Sequence, residues 1–249
     1  MTAALETIGL YRTFGALVVA DHIDFRLEKG ARHALIGPNG AGKTTFINLL
    51  TGRLRPSAGQ VLLNGADVTF HRPAARVKAG MGRTFQINAL FYDLTVLDNV
   101  CLSISERTGA SRLMLKAAYR HGEIVDEAMT LLHSLHIHDV CDRYVSDLPY
   151  GKQRLVEIAI ALGLRPSVLL LDEPAAGVPS HESHVIFDVL EEFPRDISIL
   201  FIEHDMDLVF RFAERITVLA SGATLVEGTP DEIRENRIVR DVYLGESHG

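Results

Sequence analysis

Short apolar stretches typical of strands recur along the first 90 residues and again after residue 165. Residues 5–10 and 18–27 are predicted to form two strands around a turn, and in the second strand Ile23, Phe25 and Leu27 alternate with polar residues. Continuous aliphatic runs at 168–171 and 197–202 predict strands covered on both faces, as in a parallel sheet. Further strands are predicted at 31–36, 61–63, 81–85, 216–219 and 224–226, and helices at 45–52, 73–79 and 180–193, with a C-terminal helical tail that starts at 231–236.

The pattern changes between residues 90 and 147, where apolar residues recur at helical spacing. They fall at positions 96, 97 and 100, and again at 124, 125, 128, 131, 132 and 135. A further amphipathic helix follows residues 148–154, and Arg165-Pro166 ends it. We therefore expect a single α/β domain over residues 1–249, with its core at 1–89 and 163–249 and a helical insertion at about 90–162.

Composition narrows the class of protein. The 249 residues are 47% hydrophobic and 23% charged, and the formal net charge is −7 without a compensating basic block, so nucleic acid is not an expected partner. Cys101 and Cys141 form no redox or metal motif, and His136 and His138 have no third ligand nearby, so no metal centre is predicted there. No apolar run approaches the ~20 residues of a membrane span, and the first residues do not resemble a signal peptide. A cytoplasmic location is expected, with any membrane role through a partner.

Residues 37–44, Gly-Pro-Asn-Gly-Ala-Gly-Lys-Thr, lie between a predicted buried strand and a predicted helix. They match G-x-x-x-x-G-K-[ST], the phosphate-binding loop. Its glycines let the backbone bring successive N–H groups to an anion, and the positive end of the helix points to the same place. Lys43 would place a charge near the β- and γ-phosphates, and Thr44 would supply a hydroxyl ligand for Mg²⁺. The alternative, a glycine-rich turn that binds nothing, needs a chance match, so a nucleotide site is predicted.

Polar side chains stand at the ends of three predicted strands: Gln86, the pair Asp172 and Glu173, and His204. Because ligands of parallel sheets bind at the carboxyl ends of the strands, these residues are candidates for one site. Asp172 can hold the hydration shell of Mg²⁺. Glu173 can accept a proton from the water that attacks the γ-phosphate.

In this order, the motifs resemble those of the ATP-binding subunit of ABC transporters, over essentially the whole chain. They match that family's Walker A loop (37–44), Q-loop (Gln86), signature motif (148–152), Walker B motif with the catalytic glutamate (169–173), D-loop (175–179) and switch histidine (His204). The resemblance implies a P-loop NTPase core, with a mostly parallel sheet and an antiparallel N-terminal β subdomain, plus the helical insertion. It also implies that Phe14 stacks on adenine, whereas its position in a turn beside Gly15 by itself favours a place in the core.

The resemblance further implies an ATPase that uses ATP and Mg²⁺. Its catalytic residues would be Lys43, Gln86, Glu173 and His204. The metal would be held by Thr44, Gln86 and Asp172. The nucleotide would contact Phe14, Gly37, Asn39, Gly40, Gly42, Lys43, Thr44 and Thr45, while Tyr150, Gly151 and Lys152 would face the ATP of a second subunit.

Within the family, residues 148–154 resemble the signature of branched-chain amino acid importers, as do 171–177, 202–207 and the tail at 228–246. The lipopolysaccharide-export ATPase shares part of this pattern and is the alternative. The implied partners are transmembrane permease subunits, a second ATP-binding subunit (identical or a close paralogue) and, indirectly, a periplasmic binding protein. The implied location is the cytoplasmic face of the inner membrane.

Three residues depart from the family's usual pattern: Pro149 replaces Ser, Lys152 replaces Gln, and Pro179 replaces Asn. Pro149 removes a hydroxyl and an N–H that would contact a γ-phosphate. We hypothesise that Lys152 partly replaces them by charge attraction, the alternative being an incidental charge in solvent. These departures leave open the alternative that the protein is a cassette that binds ATP for regulation without hydrolysing it. A cytosolic ABC ATPase acting on ribosomes or DNA, or a phosphate-loop kinase, fits less well, because the chain has one cassette, no long coiled-coil arm and a signature helix.

A partner surface is predicted at residues 86–99. Leu90, Phe91 and Tyr92 are expected to be exposed in a loop there and, by the resemblance, to receive a helix of the transmembrane subunit. The alternative is that these three residues cap the core of the insertion.

Overall fold

A computed structural model describes residues 3–84, 90–109 and 122–244. Its chain forms two compact units: Met1–Met81 with Ser167–Glu173 and Pro194–Gly249, and Gly82–Pro166 with Pro174–Phe193. The strands are β1 (Leu5–Phe14), β2 (Leu17–Leu27), β3 (Arg32–Ile36), β4 (Ala58–Leu63), β5 (Ala66–Asp67), β6 (Met81–Arg83), β7 (Val168–Asp172), β8 (Ser198–Ile202), β9 (Arg215–Ala220) and β10 (Ala223–Gly228). The helices are α1 (Lys43–Leu50), α2 (Pro73–Lys78), α3 (Val96–Thr108), α4 (Gly122–Ser134), α5 (Tyr150–Gly163), α6 (Ser180–Glu191), α7 (Met206–Phe212), α8 (Pro230–Glu235) and α9 (Arg237–Leu244). Within these ranges, no helix has the length and apolar character needed to cross a bilayer.

The first unit contains an antiparallel sheet with the strand order β2-β1-β4-β5. The alternation seen in the sequence explains its position, because Ile23, Phe25 and Leu27 of β2 are buried while the residues between them are exposed. The turn between β4 and β5 is Asn64-Gly65, and both residues have positive φ (50° and 82°), as a tight hairpin requires. The predicted antiparallel N-terminal sheet is confirmed.

The second sheet has the order β10-β9-β3-β8-β7-β6, and the first unit ends within β6. The strands β9, β3, β8 and β7 run parallel, and β10 returns antiparallel to β9. Every residue of β3, β7 and β8 is buried, which explains the aliphatic runs of these strands. One core cluster joins this sheet to Phe46 of α1 and Phe25 of β2, whose rings meet edge to face at 5.5 Å.

The C-terminal end of α1 is held by a buried arginine of α2. Arg76 donates hydrogen bonds to the carbonyl oxygens of Leu49 (2.7 Å), Leu50 and Thr69 (2.7 Å). Burial lowers the pKa of Arg76 to about 10, while Asp67 acts in the opposite direction. A helix leaves its last carbonyls without partners, so this guanidinium acts as a side-chain cap. Gly52, just beyond the helix, has φ 74°, and a Cβ there would lie 2.8 Å from Nε of Arg76.

The second unit is mainly helical. In it α3 begins with a capping box, in which Thr95 accepts a hydrogen bond from the Asp98 N–H and Asp98 accepts one from the Thr95 N–H. The helices α3, α4 and α5 pack on one another, and α6 packs on α5. A Cβ on Gly163 of α5 would overlap the hydroxyl of Ser103 of α3, so glycine sets how closely these helices approach.

Sequence and structure differ at a few elements. The helix α7 was not predicted; its N-cap is Asp205, whose carboxylate accepts hydrogen bonds from the N–H groups of Asp207 (3.0 Å) and Leu208 (3.3 Å). The strand expected at 81–85 is observed as β6, and Phe85 lies outside the described residues. The segment Pro174–Phe193 groups with the helical unit, next to α5.

Candidate functional site

The loop at residues 37–44 has the backbone of a glycine-dependent turn. It connects the end of β3 to Gly42, the N-cap of α1, whose φ is 101°. Gly40 also has positive φ (78°), and a Cβ on Gly42 would lie 3.0 Å from the carbonyl oxygen of Val19. A side chain at either position would strain the backbone. Asn39 and Gly40 are exposed, so the crest of the loop is open to a ligand.

Lys43 is the first residue of α1, and its ammonium turns back over the loop. The Nζ atom donates hydrogen bonds to the carbonyl oxygens of Gly37 (2.5 Å) and Pro38 (3.0 Å), and the residue is only 8% exposed. An ammonium group at this position attracts an anion that enters the loop. Next to it, Thr44 is exposed and Thr45 is half-buried on the first turn of α1.

Parallel register brings the ends of three strands to one edge of the sheet. Leu35 of β3 and Asp172 of β7 are both paired with Ile202 of β8. The segments that follow these residues, with Gly37, Glu173 and Glu203, therefore leave the sheet at the same level. This is the carboxyl edge of the sheet, where α/β proteins bind ligands. Asp172 itself is buried at the end of its strand.

Glu173 and His204 meet at this edge. Oε1 of Glu173 lies 2.8 Å from Nε2 of His204, and the side chains are 26% and 50% exposed. Glu173 has φ 52°, an uncommon value for a residue other than glycine, and its N–H donates to the carbonyl oxygen of Ile202 (3.0 Å). A strained backbone held by a neighbouring strand is typical of functional positions. The carboxylate is accessible to water and is oriented by the imidazole.

A polar network connects the buried His33 of β3 and Thr217 of β9 to the more exposed Glu227 of β10. Nε2 of His33 contacts the hydroxyl of Thr217 (2.8 Å), which in turn contacts Oε2 of Glu227 (3.1 Å). Burial lowers the pKa of His33 to about 4, against the opposing effect of the Glu227 carboxylate. The imidazole is therefore neutral at pH 7, and its ring packs on Phe25. This network could not be predicted from the sequence, because its members are distant in the chain.

Phe14 lies at the tip of the β1–β2 hairpin and is 51% exposed, so it is not part of the core. The hairpin is joined to the loop that carries Lys43. The Asp21 N–H donates to the carbonyl oxygen of Gly222 (2.8 Å), and the Gly222 N–H donates to that of Ala41 (2.9 Å). The aromatic side chain and the phosphate-binding loop thus belong to one hydrogen-bonded framework in the first unit.

In the second unit, Pro149 is the N-cap of α5 and supplies no side-chain cap. Nζ of Lys152 donates a hydrogen bond to Oδ2 of Asp139 (2.8 Å), so its charge is paired. The sequence left open a phosphate contact or an incidental charge in solvent for Lys152, and it did not predict this pairing. Tyr150 packs close to Gly177, since a Cβ on Gly177 would lie 3.2 Å from its ring. Gly151 is buried beside Glu182.

The expected exposure at 90–92 is only partly correct. Leu90 is 7% exposed and belongs to the buried set, so its predicted exposure is wrong, whereas Phe91 is 58% exposed and Tyr92 half-buried. The buried Asn99 fixes Phe91, accepting from its N–H (2.9 Å) and donating to its carbonyl (3.0 Å). The burial of Leu90 depends on its neighbours in space and could not be read from a local stretch. Gln86 lies outside the described residues.

Comparison with known proteins shows to which family the chain belongs. Residues 20–176 match the ABC transporter family model. The chain belongs to the ABC transporter family. Residues 223–249 match a second family model, described as the branched-chain amino acid ATP-binding cassette transporter. As an ABC cassette the chain is a nucleotide-binding ATPase, so the predicted α/β P-loop fold and the predicted ATPase activity are both confirmed.

Individual relatives of this ABC cassette match along nearly their whole length. The chain is 37% identical to the high-affinity branched-chain amino acid transport ATP-binding protein LivG of Escherichia coli (strain K12), over 98% of both proteins. It is 34% identical to BraF of Pseudomonas aeruginosa, which carries the same description, again over 98% of both. A solved ATP-binding cassette of an ABC transporter, in its ADP conformation, superposes with a TM-score of 0.87 at 32% identity and covers 98% of this chain and 100% of its own.

Proposed function

We propose that this protein is the ATP-binding and ATP-hydrolysing subunit of an ABC importer that takes up branched-chain or related amino acids. The observation that carries the proposal is the contact between Glu173 and His204 at the edge where the phosphate-binding loop leaves the sheet. Similarity to LivG and BraF, and the match at residues 223–249, support the choice of amino acid transport over lipopolysaccharide export.

In the proposed nucleotide site, the triphosphate lies in the loop at 37–44. Its oxygens accept hydrogen bonds from backbone N–H groups near Asn39, Gly40 and Gly42, with Thr45 at the start of α1. Lys43 then exchanges the carbonyl oxygens of Gly37 and Pro38 for phosphate oxygens. Adenine stacks on the exposed ring of Phe14.

The donor set at this edge fits Mg²⁺, a cation that prefers oxygen ligands. Thr44 offers an exposed hydroxyl, and Asp172 offers a carboxylate at the end of β7; Gln86, the third expected ligand, lies outside the described residues. In the described part of the chain, no group of three His, Cys, Asp or Glu residues could hold a metal by itself. Thr44 and Asp172 would hold Mg²⁺ together with the phosphates of the nucleotide. When bound, Mg²⁺ neutralises charge on the phosphates.

Hydrolysis uses Glu173 as general base. Its partly exposed carboxylate takes a proton from the attacking water, and His204 holds the carboxylate in place through the 2.8 Å contact. Lys43 stabilises negative charge on the transferred phosphoryl group. Because proton transfer and charge stabilisation are assigned to separate side chains, each role can be tested separately.

The proposed assembly extends beyond this chain. We propose that residues 1–249 form one ABC domain, with core segments at 1–89 and 163–249 and a helical insertion at about 90–162. Two ATP-binding subunits, identical or paralogous, pair so that Tyr150, Gly151 and Lys152 of each face the nucleotide of the other. Transmembrane permease subunits dock on the surface around Phe91, at the cytoplasmic face of the inner membrane, and receive solute from a periplasmic binding protein.

Reconstitution in proteoliposomes tests the proposal. The protein is combined with permease subunits and a periplasmic binding protein encoded beside its gene, and ATP hydrolysis and solute uptake are measured together. We expect leucine, isoleucine or valine to stimulate hydrolysis and to be accumulated. Hydrolysis without amino acid stimulation would indicate another ABC system, and ATP binding without hydrolysis would indicate a regulatory cassette.

A further inference from the structure

The tip of the β1–β2 hairpin carries a cation beside its exposed aromatic ring. Cζ of Arg12 lies 4.6 Å from the ring centroid of Phe14. This is within the distance of about 6 Å at which a guanidinium and an aromatic face attract each other. Ala20 stands opposite Arg12 on β2. The sequence motifs did not single out Arg12.

The environment of the Arg12 side chain shows what the guanidinium does there. Its Nε atom is shielded from solvent, and no described residue accepts a hydrogen bond from it. The guanidinium is thus packed against Phe14 with one of its donors buried. Such an arrangement favours a cation that acts through its flat face.

An aromatic ring has two faces, and Arg12 covers one of them. Phe14 nevertheless remains 51% exposed. A purine can therefore stack only on the face opposite Arg12. The guanidinium, the phenyl ring and the base would then form a stack of three planar groups. The guanidinium restricts the rotation of Phe14 before the nucleotide arrives, so less ordering is needed on binding.

We infer that Arg12 is a positioning residue for the nucleobase, which holds the Phe14 ring from behind and leaves a single face for adenine. This inference rests on the proposed function, in which Phe14 stacks on adenine. Arg12 acts through Phe14 and does not touch the nucleotide. Its effect on affinity therefore depends on the presence of the ring.

A double-mutant cycle tests this dependence. The affinity of the purified full chain for ATP is measured by calorimetry at fixed salt for the wild type, Arg12→Met, Phe14→Ala and the double variant. We expect Arg12→Met to weaken ATP binding about two- to fivefold and Phe14→Ala to weaken it at least about fivefold. The double variant should bind like Phe14→Ala alone.

Control variants separate positioning from charge and from stability. Arg26→Met removes the same charge from an exposed position on β2, where Arg26 pairs with Glu28, and should leave ATP affinity unchanged. Arg12→Lys keeps the charge without the planar group and should lie between the wild type and Arg12→Met. It also provides the comparison if the methionine variant does not fold.

The outcomes distinguish this inference from the proposal on which it rests. If Phe14→Ala binds ATP like the wild type, adenine does not stack there, and both ideas are wrong. If Phe14→Ala weakens ATP but Arg12→Met does not, only the inference is overturned. The inference is also overturned if Arg12→Met weakens ATP binding by the same factor with and without Phe14. Arg12 would then act on the nucleotide independently of the ring.

Discussion

Glu173 and His204 are 31 residues apart in the chain, and the contact between them joins the ends of two neighbouring parallel strands. The distance from Oε1 to Nε2 is 2.8 Å, and the backbone of Glu173 adopts a left-handed φ of 52° at the same point. The strand register fixes the backbones, and the imidazole fixes the carboxylate. The contact therefore orients the carboxylate that is proposed as the general base.

Removal of the imidazole should reduce turnover without abolishing nucleotide binding. With His204→Ala the Glu173 carboxylate loses its positioning contact, and we expect kcat for ATP hydrolysis to fall about 10- to 100-fold, as misplacement of a catalytic group does. The affinity for ATP should not change. The exposed His184 of α6 supplies the control, and His184→Ala should hydrolyse ATP normally. Normal turnover of His204→Ala would show that Glu173 does not need this contact.

Lys152 pairs with Asp139, and variants of these two residues test whether Lys152 also contacts a phosphate. If Lys152 reaches the γ-phosphate across the dimer, Asp139 competes for it, so Asp139→Asn should strengthen ATP-driven dimerisation of a Glu173→Gln background. Lys152→Gln should weaken dimerisation about tenfold or more, the value of a charge-assisted contact. ATP binding to the monomer should not change. Sedimentation at low and high salt measures both effects. Equal dimerisation of both variants and the parent would contradict a phosphate contact.

The buried His33 predicts a pH dependence of stability. Its pKa is lowered to about 4 in the folded chain, from 6.5. The unfolded state therefore binds more protons between these values, and stability is complete above pH 6.5 and falls as the pH decreases through 4. The loss is up to about 3 kcal/mol, at about 1.4 kcal/mol for each pKa unit. Urea unfolding of His33→Gln should show a shallower decline from pH 6.5 to 4, whereas the exposed His22→Gln should follow the wild type. An unchanged decline in His33→Gln would contradict the assignment.

Phe91 tests the proposed permease surface. Its ring is 58% exposed while Asn99 fixes its backbone. Because a charge is unfavourable in an apolar contact, Phe91→Glu should abolish assembly with the permease subunits and transport. ATP binding by the isolated subunit should not change. Phe70→Glu, at an exposed phenylalanine of the first unit, is the matched control. Normal co-purification of Phe91→Glu with the permease would place the interface elsewhere.

Elements whose signals lie within a few residues could be predicted from the sequence. The aliphatic run of β7 predicted a buried strand because both faces of a parallel sheet are covered. The loop at 37–44 was recognisable because each of its glycines meets a local backbone requirement. The register of β3, β7 and β8 then placed Glu173 and His204 together, as the order of the motifs had indicated.

Contacts between distant segments could not be predicted in the same way. The capping of α1 by Arg76 depends on how α2 returns to that helix, and the pairing of Lys152 with Asp139 depends on the path of the chain before α5. Leu90 was expected to be exposed because the stretch is loop-like, but its side chain is only 7% exposed. The positive φ of Glu173 could not be predicted, because glycine usually occupies this conformation and a glutamate gives no indication of it.

The central claim is that Glu173 is the general base of an ATPase, and Glu173→Gln tests it most directly. Glutamine keeps the shape of the side chain but cannot accept the proton, so ATP hydrolysis should fall about 10²- to 10⁴-fold. ATP affinity should remain within about twofold of the wild type, since the phosphate-binding loop is unchanged. Single-turnover hydrolysis and calorimetric binding on the same preparation provide both numbers. Turnover within about twofold of the wild type would show that Glu173 is not the base.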